Sequence, residues 1–306
     1  MPELPEVEHA RAVIERAAVG RRIVRVECAD DPIVIPDGAA AIERALSGCT
    51  VVAAHRHGKW LWLELDQRAQ RSDGRPTPAA VRRDRDADTQ QPSDPRHRAP
   101  HLLSHLGMTG SWRTPGDEPL RLESSPKELD RAWPPRFTKL SLELDDARHL
   151  AFTNARRLGR VLLRDDPRSE PPLSALGFDP LLELPPLPRF RALLARRRGL
   201  LKGLLLDQSF AAGVGNWMAD EILYRAGIDP RRTLDTLEGD EVRRVHSALR
   251  EVVRVAVAAD AVSDRYPKSW LFHHRWEKGT RTADGEPIAH TTVAGRTTAW
   301  VPSRQR

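Results

Sequence analysis

Apolar positions set the first element. Between residues 5 and 19, Val7, Ala10, Ile14 and Ala17 or Ala18 recur at helical spacing. Pro5 suits a first helical turn, Glu6 and Glu8 lie where the helix dipole favours anions, and Gly20 closes the segment. The period then shortens. Runs at 22–28, 49–54, 60–66, 101–106, 139–144, 150–153 and 160–164 read as strands, and Trp60, Trp62, Glu64 and Asp66 alternate with Leu61, Leu63 and Leu65. Successive short strands separated by turn residues predict an antiparallel sandwich. Residues 68–100 break the pattern, being Arg, Asp, Gln, Ser, Pro and Ala with almost no large apolar side chain, and are expected to be a disordered insertion. Residues 166–188, rich in Pro and acid, read as a linker. Helical patterning resumes at 190–197, 201–208, 217–226 and 240–259, and two β-prone runs at 286–293 and 296–301 flank Ala294-Gly295 as a hairpin.

The expected class is therefore α+β: a helix and sandwich domain over 1–165, the linker 166–188, a helical domain over 189–269, and a terminal hairpin over 270–306. Charge adds a direction to this plan. The formal net charge is +6, yet residues 186–306 alone carry 21 Lys/Arg against 14 Asp/Glu, so the basic surface is in the second half and suggests a polyanion. Only Cys28 and Cys49 are present, too few for a four-cysteine zinc site. No apolar run reaches the roughly 20 residues that cross a bilayer. A cytoplasmic protein with reduced thiols and no membrane partner is expected.

The chemistry begins at the N-terminus, Met-Pro-Glu-Leu-Pro-Glu-Val-Glu. Removing Met1 would leave Pro2 as a secondary amine with Glu3 beside it. A free α-amine has a pKa of roughly 8, against roughly 10.4 for lysine, so part of it is nucleophilic at neutral pH. Attack on an aldehyde carbon gives an iminium, an electron sink. An ordinary capped helix is the alternative reading of the same residues, and on the residues alone the commoner one. Gly58-Lys59 offers close backbone approach and a point charge for phosphate, or simply an exposed lysine. Gly213-Val-Gly-Asn216 leads into a helix start that presents N–H groups to an anion, or serves as a structural turn.

The N-terminal octet resembles the signature of the formamidopyrimidine-DNA glycosylase and endonuclease VIII family, and further motifs follow in the family's order. His105-Leu-Gly-Met-Thr-Gly110 is similar to the family's gap-filling methionine motif, which implies that Met108 helps fill the space left by a displaced nucleotide. Phe152-Thr-Asn-Ala-Arg-Arg-Leu-Gly159 resembles the segment that supplies an intercalating arginine, here Arg156; Leu158 stands where the family usually has Phe, and Asn154-Ala155 where it has Asp-Pro or Asp-Lys. The block from Leu201 to Asn216 and the helix after it resemble the family's helix–two-turn–helix element, implying that Lys202 and Asn216 grip phosphates flanking the lesion.

The family's usual zinc finger ends in four cysteines. Their places here are Arg281, Asp284, Val301 and Arg304, so no metal and no cofactor is expected. Arg296 matches the finger arginine, and with residues 267–275 the C-terminus is similar to the zincless hairpin of plant- and fungal-type members, its threonines supporting cross-strand packing. The short loop at 260–270 argues against 8-oxoguanine as the best substrate. The resemblance implies a bifunctional DNA glycosylase and AP lyase of base-excision repair. Its substrates would be formamidopyrimidines, with hydantoins as a further class. It would act as a nucleoid-associated monomer on double-stranded DNA carrying oxidised bases or abasic sites. Pro2 would be the nucleophile, Glu3 the acid and base at the sugar, Lys59 an aid to elimination, Arg296 a phosphate ligand, and Glu6 an orienting residue. Two alternatives remain: a noncatalytic damage-binding protein, and a glycosylase preferring oxidised pyrimidines.

Overall fold

The computed structural model describes residues 1–66, 100–123 and 131–306. All but the last residue of the insertion expected at 68–100 lies outside them. Helix α1 (Leu4–Ala18) turns Val7, Ala10, Val13, Ile14 and Ala17 inward, the face its spacing predicts. Eight strands follow: β1 (Ile23–Cys28), β2 (Thr50–His57), β3 (Trp60–Asp66), β4 (His101–His105), β5 (Ser111–Arg113), β6 (Thr138–Leu144), β7 (His149–Thr153) and β8 (Arg160–Arg164). They form two four-stranded antiparallel sheets, ordered β1-β6-β7-β5 and β2-β3-β4-β8. Ile23, Leu61, Leu63, Leu140, Leu142, Phe152 and Val161 make one core with the inner face of α1.

Two elements escaped the sequence pattern. Helix α2 (Ala39–Leu46) buries only Ile42 and Leu46, a single i,i+4 pair. Strand β5 is three residues long, and its neighbours Trp112 and Arg113 are both buried, so no alternation marks it.

The second half holds α3 (Leu187–Ala195), α4 (Leu201–Leu206), α5 (Asn216–Ala226) and α6 (Gly239–Ala258) around Phe190, Leu205, Ile222, Val245, Leu249 and Val252. Helix α4 stops before Gln208 because that side chain folds back over the following loop, donating to Leu206 O and Val214 O and accepting from Gly213 N–H. Gly227 closes α5 in the left-handed region, φ +66°. The hairpin pairs β9 (Ala289–Val293) with β10 (Arg296–Trp300), placing Thr291 opposite Thr298 and Thr292 opposite Thr297. Ala294 (φ +49°) and Gly295 (φ +71°) make its two-residue turn, both in the conformation such hairpins require.

Leu4 belongs to the core of the helical half, whereas Val7 and the rest of the inner face of α1 belong to the sandwich core. Leu4 N–H also donates to Gly213 O at 3.0 Å. The N-terminus is therefore the place where the two halves meet.

Candidate active site

Three glycines let that meeting happen. A Cβ on Gly213 would lie 2.8 Å from the Leu4 side chain, and one on Gly215 would lie 2.2 Å from Glu3 Cδ. A Cβ on Gly58 would lie 2.8 Å from Ala212 Cβ. The Gly58-Lys59 turn and the Gly213–Gly215 loop are thus pressed together with the chain start between them.

Glu3 is buried in this contact. One carboxylate oxygen accepts Gly215 N–H at 2.9 Å and Met218 N–H at 3.2 Å, and the other accepts Trp217 N–H at 3.0 Å. These are free donors at the start of α5, so the helix end holds a carboxylate of this chain. Burial pushes the Glu3 carboxyl up, while Lys59 and the α5 N–H groups pull it back. Glu6 accepts Glu3 N–H at 2.8 Å and is pushed up to about 7, by burial first and by the adjacent Glu3 second. Lys59 Nζ donates to Val214 O at 3.0 Å. Burial lowers its pKa, Glu3 and Glu6 oppose that, and Arg296 reinforces it. The α-amine of Met1 is also held below its ordinary value, by burial first, with Lys59 and Arg156 adding to the effect. Pro2, Glu3, Glu6, Lys59, Arg156 and Arg296 therefore share one electrostatic neighbourhood, although they come from α1, the β2–β3 turn, a strand-connecting loop and the hairpin tip.

Pro2 and Glu6 line a cavity of about 240 Å3 that also touches Leu106, Thr109 and Arg113. Arg113 is only 8% exposed, and its Nε has no hydrogen-bond partner; Thr109 Oγ1 is also buried without one. Neither residue stood out in the sequence. A larger cleft of about 710 Å3, along the linker beside Phe178 and Phe210, holds none of the expected site residues.

Other supporting groups were equally hidden. Arg56 and Asp179 are fully buried and paired at 2.5 Å, and Asp179 also accepts Gly58 N–H at 2.7 Å. The linker thereby fixes the turn that carries Lys59. Asn154 donates to Leu106 O at 3.0 Å and accepts Gly159 N–H at 3.1 Å, joining the Met108 turn to the Arg156 loop. A Cβ on Gly107 would lie 2.5 Å from Leu158 C, so these two loops also touch backbone to backbone. Met108 is half-buried there, while Arg156 and Leu158 are exposed. His105 accepts Gly107 N–H at 3.0 Å through Nδ1, and burial, with Lys59 and Arg160 nearby, lowers its pKa to about 4.

Lys202 departs from expectation. It is fully buried, 2.6 Å from Asp220 and 2.6 Å from Thr298 Oγ1. Asp220 also binds Arg275 at 2.5 Å and accepts Ala299 N–H at 3.0 Å. Lys202 therefore fastens the hairpin to α4 and α5, and its ammonium has no path to a phosphate in this geometry. Asn216 donates to Thr297 O at 2.8 Å, so it too holds the hairpin, but its Oδ1 is buried without a partner. Arg296 projects from the hairpin tip into solvent.

The four positions that match zinc cysteines do not suit that metal. Val301 is buried in a cluster with Ile288, Leu271, Ala299 and Tyr224. Arg304 pairs with Asp284 at 2.6 Å, with Glu286, and with the Tyr224 hydroxyl at 2.7 Å. Arg281 donates to Gly285 O at 2.6 Å. The one carboxylate in the set is already matched to an arginine, so packing and ion pairs close the finger.

Family models for the formamidopyrimidine-DNA glycosylase N-terminal domain and H2TH domain match residues 1–161 and 176–267. A formamidopyrimidine-DNA glycosylase of Arabidopsis thaliana is 37% identical, covering 100% of this chain and 71% of its own length. That of Thermus thermophilus is 32% identical, covering 100% and 98%. A solved MutM bound to DNA containing carbocyclic 8-oxo-G has a TM-score of 0.74 at 23% identity, with both chains covered fully. A Lactococcus lactis relative bound to DNA containing FAPY-dG has a TM-score of 0.73 at 23% identity, covering 99% of this chain and 100% of its own. These structural likenesses show the fold.

Proposed function

The chain belongs to the formamidopyrimidine-DNA glycosylase family, and we propose that it releases oxidised bases from duplex DNA and then cuts the strand through an iminium on Pro2. It is a DNA-repair glycosylase whose partner is double-stranded DNA. Among the described residues no helix is long and apolar enough to cross a membrane. The finer reading rests on one observation above all: Glu3 is seated on three backbone N–H groups at the N-terminal end of α5, those of Gly215, Trp217 and Met218, directly beside Pro2 and within the field of Lys59.

With Met1 removed, the amine lies one residue deeper than the Met1 amine whose pKa burial already lowers. Its neutral form attacks C1′ of the everted nucleotide, and the base leaves with the electrons of the C1′–N bond and takes up the proton that the amine sheds. Glu3, its carboxyl raised by burial, gives a proton to the sugar ring oxygen as the ring opens. The iminium then acidifies C2′. Loss of a C2′ proton expels the 3′ phosphate, and loss of a C4′ proton expels the 5′ phosphate. Lys59 steadies the phosphate charge that develops. Arg156, Met108 and Leu158 occupy the space the nucleotide leaves, Arg296 holds the backbone, and Glu6 fixes the Glu3 backbone. Residues 1–165 and 189–269 act as the two walls of the DNA cleft. No step passes through a metal or cofactor.

Duplexes carrying a formamidopyrimidine, a hydantoin, 8-oxoguanine or thymine glycol test the assignment. Expected is base release with strand cleavage, fastest on formamidopyrimidine and slow on 8-oxoguanine. Tight binding with no release from any duplex would establish the noncatalytic alternative, and thymine glycol as the best substrate would establish the pyrimidine one.

A further inference from the structure

Two large apolar side chains stand in solvent close to one another in the chain topology: Phe137 is 55% exposed and Leu158 is 47% exposed. Phe137 also has φ +60°, a left-handed conformation that costs a bulky residue energy. Burial of the ring does not offset that cost, so packing gives no reason for a phenylalanine here.

The backbone that carries the ring is nevertheless held firmly. Phe137 O accepts Asn154 N–H at 3.0 Å, and Thr138 pairs with Thr153. Lys139 binds Asp31 at 2.7 Å, and the same carboxylate takes Arg157 at 2.8 Å. Arg157 immediately precedes Leu158. One buried aspartate thus ties down both loops, and Arg157 first of all keeps its carboxyl well below the usual range. The Leu158 loop abuts the Met108 turn through Gly107, and Arg156 on that loop acts on the chain start. The Arg136 guanidinium lies 5.2 Å from the centroid of the Phe137 ring, adding a cation beside the aromatic face.

We propose that Phe137 is a DNA-stacking residue, its ring meeting the bases uncovered when the damaged nucleotide leaves the duplex. Leu158 can fill space there but has no π-face, whereas every base can stack on a phenyl ring. Cations at Arg136, beside the ring, and Arg156, on the Leu158 loop, match a polyanion better than the apolar face of a protein. The inference rests on the DNA-glycosylase reading above and adds to it a residue outside the motifs.

The test uses a duplex with a tetrahydrofuran abasic analogue opposite 2-aminopurine. Wild-type protein should bind it and quench the 2-aminopurine. Phe137→Ala should bind about 5- to 150-fold more weakly, the effect of losing one stacked base, and leave the probe brighter. Phe137→Trp should keep both properties. Phe137→Gly, which relieves the left-handed backbone, should raise Tm while losing the same affinity. The proposal is overturned if Phe137→Ala equals wild type in affinity or fluorescence, or if Phe137→Gly loses Tm along with affinity, as a packing role requires. Wild-type protein that fails to bind the duplex would instead remove the DNA-glycosylase reading itself.

Discussion

Gly215 has no side chain because Glu3 fills the space where one would be. Gly215→Ala must displace the Glu3 carboxylate, since the new Cβ would sit 2.2 Å from Cδ. A shift of about 1 Å in a catalytic group costs on the order of 100-fold in rate. Base release by this variant should fall by at least that much, while circular dichroism shows a folded chain. Glu221 gives a pH prediction. It is buried in α5, accepts Phe272 N–H at 2.9 Å, and is raised by burial from 4.5 to about 8. A carboxyl raised on folding contributes stability that is full below its unfolded pKa and lost as pH rises through the folded one. Glu221→Gln removes that loss. Its Tm should exceed wild type at pH 8.5, with the gap closing by pH 5; a gap that is constant with pH would contradict the assignment. Individual residues were legible in the sequence where chemistry or a glycine marked them, as at Pro2, Glu3, Lys59 and Gly213. Asp179, Asn154 and Arg113 were not, because an aspartate in a linker or an arginine in a strand acquires meaning only from a partner distant in the chain.

At the scale of elements, the hairpin shows how a finger closes without cysteines. Arg304→Ala removes contacts to Asp284, Glu286 and Tyr224 and should lower Tm by roughly 2–4 °C, the shift about 1 kcal/mol produces in a chain of this kind. A strong chelator should change neither Tm nor activity. Lys202 is the sharper case. Removing one member of a buried ion pair costs about 3–5 kcal/mol, and Arg275 remaining on Asp220 places Lys202→Ala at the low end. Denaturant melts should register that loss. If stability is unaltered and DNA binding loses salt dependence instead, the lysine is a phosphate ligand and not the fastener of the hairpin. The helices other than α2, all strands but β5, and the two-residue turn of the hairpin could be read from periodicity. The role of Lys202 could not, since a buried lysine and a phosphate-gripping one look alike until Asp220 and Thr298 come into contact.

The whole molecule is two cores sewn together at the chain start, with α1 contributing Leu4 to one and Val7 to the other. The basic half of the sequence predicts the polyanion, and salt measures how many groups meet it. If Lys59 and Arg296 each neutralise a phosphate, log K should fall with log salt at a slope of about −2, and Arg296→Ala should bring it to about −1. The sandwich and the helical half were foreseeable from pattern, but their junction was not. It depends on glycine clearances and on α5 accepting a side chain from the first turn of the protein.

Everything converges on the amine of Pro2. Borohydride reduction during reaction with abasic-site DNA, followed by proteolysis and mass spectrometry, locates the bond directly. The account predicts a single adduct, on the α-nitrogen of a peptide that begins at Pro2. An adduct on Lys59, or one on a chain that still carries Met1, would contradict it.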